Sequence, residues 1–399
     1  MKGRSIRDVV IGMALFGIAL VSGSCEEYEE PVPFQDLDPP AEEQEEVDPP
    51  ERLEQIELDH RFVETYEEWS VEFDVSSDVQ SITFTAEASP SSADVYAWRI
   101  WGPGGELLFD LDSDESVLYI TPYTSGGQMG ILLPNTPTES LQPGRYLVEL
   151  WADSAAEVKI NVIYKRGVPT PQGGRLRVNL WFTDQDTLDA SKAQVDSDFQ
   201  EAIAVVKQIF DAIEIEIVIS GYHEIGGTLG RSLAVPRDSD QACAQIRELP
   251  RVHDGPAVNL VLIDHDNFDW GPVLGLSCGA PGAPLLSNIS ASGVMVALDY
   301  LRDNPGVFGD TIVHEIGHYL GLYHTSEADG HDHDPLPDTP ECRSSQDLNG
   351  DGVLSAEECR NHGGDNNMFW TGFSEGAQQL ILTPHQRFVI MNNPVVESD

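Results

Sequence analysis

The chain is 399 residues long and carries 68 acidic against 22 basic side chains, a formal net charge of −46. Such a surface repels a phosphate backbone, which argues against nucleic acid as a partner, and fits an exported protein that acidity keeps soluble. Hydrophobic residues make up 40% of the sequence, enough for two or three domains with cores of their own.

Residues 1–24 read as a signal peptide. Lys2, Arg4 and Arg7 precede an apolar run from Val9 to Val21, which is too short for a membrane span of about twenty residues but suits a signal core. Ser22-Gly23-Ser24-Cys25 resembles a bacterial lipobox, so Cys25 is expected to carry a lipid; ordinary cleavage that leaves Cys25 a free thiol is the alternative. Glu26 and Glu27 after it favour the outer membrane over retention in the inner one, if the cell is Gram-negative. Residues 25–55 are acidic and proline-rich, with Pro39-Pro40 and Pro49-Pro50, and bury too little apolar surface to fold; they read as a disordered tether.

From 56 to 166 the period becomes two. Trp69–Val75, Ser81–Thr85, Val95–Ile100, Arg145–Leu150 and Val158–Tyr164 alternate as strands, and Pro103-Gly104-Gly105 and Gln142-Pro143-Gly144 supply turns. Strands without a long helical pattern predict an all-β antiparallel sandwich. Trp98, Trp101 and Trp151 are assigned to its core in preference to an exposed carbohydrate- or protein-binding surface. Residues 167–174, rich in glycine and proline, form a linker to a second domain at 175–399. That domain reads as α/β in pattern: strands at Leu176–Phe182, Ile215–Ile219, Ala257–Ile263 and Gly293–Leu298, with a long helix from Ser191 to Ile213. One of the strands is expected to form a sheet edge on which a peptide adds as a further strand.

The most informative stretch is His314-Glu315-Ile316-Gly317-His318-Tyr319-Leu320-Gly321-Leu322-Tyr323-His324. His314 and His318 are one helical turn apart and project from one face. Gly321 permits a sharp turn that brings His324 back as a third nitrogen ligand. Three protein ligands leave the fourth zinc position open, and Glu315 lies where a carboxylate serves as general base. One catalytic Zn2+ is therefore expected.

This motif resembles that of the metzincin metallopeptidases. His324-Thr325, Asp338-Thr339-Pro340, Asn366-Asn367-Met368 and Leu382-Thr383-Pro384-x-Gln386 look most like the pappalysin-type group. The resemblance implies an α+β catalytic domain with a twisted mixed sheet, a long backing helix, an active-site helix and an irregular lower half, and it makes Met368 the Met-turn methionine. It also implies a calcium role for Asp334 or Asp338, with a solvated polar loop as the alternative. The chain departs from the group at Trp370, where a tyrosine is usual. An indole has no phenolic proton, so a tyrosine-assisted oxyanion role does not carry over. Glu327 reads as a neighbour of the site or an exposed side chain rather than as a ligand.

Residues 347–358 match the EF-hand loop, with Asp347, Asn349, Asp351, Val353 through its carbonyl, Ser355 and Glu358 as oxygen ligands and Gly352 at the turn. At least one structural Ca2+ is expected there. Cys243, Cys278, Cys342 and Cys359 allow three connectivities, of which Cys243–Cys278 and Cys342–Cys359 close local loops. Together these features point to a lipid-anchored zinc endopeptidase of the bacterial cell envelope or exterior, acting on protein or peptide. A non-catalytic surface adhesin with a metal-stabilised domain is the alternative.

Overall fold

The computed structural model describes residues 53–64, 67–112, 127–167, 173–183, 188–252, 255–265, 268, 273–286, 289–290 and 292–398. The segment read as a signal peptide, Cys25, most of the acidic tether and linker residues 168–172 lie outside the described residues.

Eight strands come first: β1 (Leu53–Phe62), β2 (Glu67–Val75), β3 (Val79–Ser89), β4 (Val95–Trp101), β5 (Leu107–Asp110), β6 (Gln128–Leu133), β7 (Gly144–Ala152) and β8 (Ala156–Arg166). They form two four-stranded antiparallel sheets, in the orders β1-β8-β3-β6 and β2-β7-β4-β5. Alternate residues such as Phe73, Phe84, Val148, Ile160 and Val162 point between the sheets and make one core. Each such side chain stabilises the fold by about 1.5–3 kcal/mol. β1 begins at Leu53, inside the stretch assigned to the tether, because its whole length pairs with β8 from Leu53↔Lys165 to Phe62↔Ala156.

The assignment of the tryptophans is corrected. Trp98, Trp101 and Trp151 are half-buried and take no part in that core. Trp151 pairs with Tyr96 across the strands, their rings stacked 4.3 Å apart on the side of β4 and β7 facing away from Ala97, Val148 and Leu150. The register shift between Ala97 and Arg99 leaves Trp98 at a bulge.

The second half is α+β. β9 (Gly174–Phe182), β10 (Ile215–Glu224), β11 (Val258–Ile263), β12 (Gly275–Ser277) and β13 (Gly293–Ala297) lie in the order β10-β9-β11-β13-β12; β14 (Val396–Ser398) pairs with β9. β12 runs antiparallel on the sheet edge, whereas β10, β9, β11 and β13 are parallel. The helices are α1 (Ala190–Ala193), α2 (Ser197–Asp211), α3 (Gly227–Ala234), α4 (Ser239–Ile246), α5 (Pro305–Tyr319) and α6 (Pro384–Asn392). The single helix expected over Ser191–Ile213 is broken after Ala193. There the Asp196 carboxylate accepts the Phe199 N–H at 3.0 Å and restarts the helix as an N-cap. Phe199, Ile203, Val206 and Phe210 of α2 and Phe308, Ile312 and Ile316 of α5 share the core beneath the sheet.

The two halves are joined by a polar face. Ser81, Thr83, Thr85, Asn161 and Lys165, on the outer side of β3 and β8, are all buried. Ser81 Oγ donates to Asn392 O at 2.6 Å, and Lys165 Nζ donates to Met391 O (2.6 Å), Asn393 O (3.0 Å) and Val396 O (2.6 Å). Ile163 packs against Ala283 and Ile289. Among the described residues no helix is long and apolar enough to cross a membrane.

Candidate metal centre

Helix α5 starts at Asn304, whose side chain accepts the Val307 N–H, and Pro305 occupies the first turn. It ends where Gly321, at φ 106°, takes a left-handed conformation that a Cβ would strain. The chain then doubles back, with Leu322 N–H donating to Gly317 O at 2.9 Å. His324 is thereby carried to the face that holds His314 and His318.

The three Nε2 atoms converge: 3.1 Å between His314 and His318, 3.1 Å between His318 and His324, and 3.2 Å between His314 and His324. Every Nδ1 is committed elsewhere. His314 Nδ1 lies 2.7 Å from Asn367 O, His318 Nδ1 2.8 Å from Leu322 O, and His324 Nδ1 3.0 Å from Glu327 Oε1. Carbonyls and carboxylates only accept, so each Nδ1 carries a proton, and a neutral ring then presents its Nε2 lone pair. Three lone pairs aimed at one another repel unless a cation lies between them. Tetrahedral ligands at the usual Zn–N distance of about 2.0–2.1 Å stand roughly 3.3 Å apart, close to the spacing seen. Burial, then the neighbouring rings, lowers the pKa of His314 to about 3 and that of His318 well below its ordinary value, which keeps both neutral and able to ligate. The triad can hold a metal ion, and its all-nitrogen donor set is consistent with zinc.

The Glu315 side chain lies against β12, beside Gly275 and Ser277. Burial pushes its carboxyl up to about 8, against an opposing hydrogen bond from the Ser277 backbone, and its Oε2 is buried without a partner. Gly275 makes room for it: a Cβ there would stand 2.6 Å from Glu315 Cγ. A nearby divalent cation reverses the effect of burial and favours the carboxylate.

Met368 is fully buried against Gly317, where a Cβ would collide with its sulfur. Its turn is tied down by Asn366, which accepts the Met368 N–H, and by Asn367, which donates to Asp310 O and Gln379 O. Thr325 N–H donates to Met368 O, joining the turn to the third histidine. Trp370 faces away from the triad. Its Nε1 donates to Leu354 O at 2.8 Å within a small core that includes Cys342, Cys359 and Phe369.

The disulfides are Cys243–Cys278 and Cys342–Cys359, with Cα atoms 5.4 and 5.7 Å apart. Within 347–358 the carboxylates accept main-chain N–H groups: Glu358 from Leu348, Asn349 and Ser355, and Asp347 from Gly350 and Gly352. Among the described residues the histidine triad is the one group of three or more ionisable side chains gathered closely enough to hold a metal. Asp338 instead braces α6, accepting from Thr383 Oγ1 and His385 N–H. Asp334 accepts from Leu336 N–H and Thr339 Oγ1. Glu327 lies beside the site as its spacing suggested, its Oε1 3.0 Å from His324 Nδ1.

No protein-family model matches the chain, and no curated protein does. Among solved structures it is similar to metalloproteinase-II from Bacteroides fragilis, at 17% identity over 41% of this chain and 52% of that one, with a TM-score of 0.25. The chain thus spans about half the length of that protein. A family two carbohydrate esterase from Cellvibrio japonicus aligns at 10% identity over 53% of this chain and 67% of that one, with a TM-score of 0.15. TM-scores this low define neither a shared fold nor a shared activity.

Proposed function

We propose that this chain is an exported zinc endopeptidase of the metzincin type, most like the pappalysin group. The observation that carries the reading is the pairing of three converging Nε2 lone pairs with a buried, unpartnered Glu315 oxygen on the next residue of the same helix. Structural zinc needs no such base. Bound at His314, His318 and His324, zinc would supply Lewis acidity and bring the pKa of a water toward neutral.

The chain's own residues supply the rest. β12, the last strand of the sheet among the described residues, takes an extended peptide as an added strand, which lays its scissile bond beside Glu315. Glu315 takes the proton of the attacking water and returns it to the leaving amine. Met368 shapes the floor beneath the histidines without entering the chemistry. The loop of Asp347, Asn349, Asp351, Val353, Ser355 and Glu358 takes a structural Ca2+, clamped by Cys342–Cys359. Cys25 carries a lipid and holds the protein at the bacterial surface.

A second reading, a non-catalytic surface-binding lipoprotein, draws on Trp98, Trp101 and Trp151, which are half-buried and outside the sandwich core. A peptide-library digest read by mass spectrometry separates the two. Wild type is expected to cleave, while Glu315→Ala and a chelated sample do not. An inactive, zinc-loaded wild type would favour the binding protein.

A further inference from the structure

The three rings are not held alike. His314 and His318 rest on main-chain carbonyls, those of Asn367 in the Met-turn and Leu322 at the helix end. His324 lies beyond the helix, past the Gly321 turn, and its Nδ1 meets a side chain, Glu327 Oε1 at 3.0 Å. We propose that Glu327 is the positioning residue of the third ligand, its carboxylate fixing the tautomer and direction of the His324 ring. This rests on reading the triad as a metal centre.

The surroundings are built to hold that carboxylate in place. Glu327 N–H donates to Asp332 O and Gly330 N–H donates to Glu327 O, both at 2.9 Å, and Ser326 bridges to His333 in a tight hairpin. The hairpin is sewn to the disulfide-closed loop on three sides. Cys342 N–H donates to Ser326 Oγ at 2.8 Å, Ser344 N–H to Gly330 O at 3.2 Å and Leu354 N–H to Ala328 O at 2.7 Å. Glu327 therefore stands on a cross-linked platform, although its own side chain remains about one-third exposed. A carboxylate partner raises the basicity of an imidazole more than a carbonyl does, and loss of such partners typically costs 10–100-fold in metal affinity. It also places a carboxylate beside three rings that carry no negative charge of their own.

The test uses the intact chain and its Glu327→Ala and Glu327→Gln variants. Zinc affinity is read by chelator competition, ligand geometry by the absorption bands of the Co2+-substituted protein, and folding by the thermal midpoint without metal. Glu327→Ala is expected to lose about 10–100-fold in zinc affinity and to shift the cobalt bands. Glu327→Gln, which keeps an acceptor but no charge, is expected to fall between. The metal-free midpoints should stay together, because the hairpin around Glu327 is closed by main-chain bonds that the variants keep. Unchanged affinity and bands in Glu327→Ala would overturn the proposal, as would an affinity loss matched by a fall in the metal-free midpoint. Wild type that binds no zinc would instead overturn the metal-centre reading beneath it.

Discussion

Asp310 lies one turn before His314 on α5, is 5% exposed, and accepts the Gln379 N–H through Oδ2 at 2.8 Å. Burial pushes its carboxyl up to about 7, against the Gln379 and Thr311 N–H groups that pull it down. In the unfolded chain it ionises near 3.8, so between those values the folded state binds the extra proton. The stability this contributes is complete below about pH 4 and is lost as pH rises through about 7. A shift of about three pH units corresponds to a maximum of about 4 kcal/mol. Asp310→Asn cannot ionise and escapes the loss. In metal-free protein, the stability of the variant relative to wild type should move in its favour by up to about 4 kcal/mol between pH 4 and pH 8. Any offset from placing an amide beside the Thr311 N–H is common to every pH. Urea denaturation followed by tryptophan fluorescence, with chelator present and both proteins at each pH, measures the difference. A difference flat to within about 1 kcal/mol would mean that Asp310 is already ionised when folded, and the account of its burial would fail.

Gly275→Ala places a methyl against Glu315 Cγ; peptidase activity should drop roughly 100-fold while zinc affinity by chelator competition stays at the wild-type value. Retained activity would show that Glu315 need not lie against β12. Lys165→Met leaves three buried carbonyls without their ammonium donor, and should cost about 3–5 kcal/mol in denaturant titration; a cost below about 1 kcal/mol would show that water replaces it freely. If 347–358 binds calcium, Ca2+ at a hundredfold over its dissociation constant should stabilise wild type by about 2.7 kcal/mol in thermal scans, and Glu358→Gln should abolish the effect. Identical scans with and without Ca2+ would remove the ion from the loop.

Much of the site was legible because helical spacing and one glycine turn suffice to bring His314, His318 and His324 together, and because the two nearest cysteine pairs are the ones that bond. The joint between the halves was not. Alternation tells which residues of β3 and β8 share a face, and Ser81, Thr83, Thr85 and Asn161 look like a solvated one. Nothing local says that a second half covers it. The same gap misplaced Trp98, Trp101 and Trp151, since period two sorts residues into faces without telling which face is inward when both carry aromatics. The break before α2 hinged on Asp196 preferring to cap rather than to continue a helix. Glu327 was visible by type and spacing, but its role depends on a hairpin closed by contacts with residues 342–354.

The pairing Leu53↔Lys165 has a mechanical meaning. Leu53 is the first residue of β1, so a pull along β1 from its start loads that pair first. Lys165 is the residue whose ammonium is clasped by the carbonyls of Met391, Asn393 and Val396. Tension from that side is therefore handed across one ladder rung to the C-terminal segment of the other half. A protein held at a surface by residues before Leu53 would transmit drag through β8 into the body that carries the histidines.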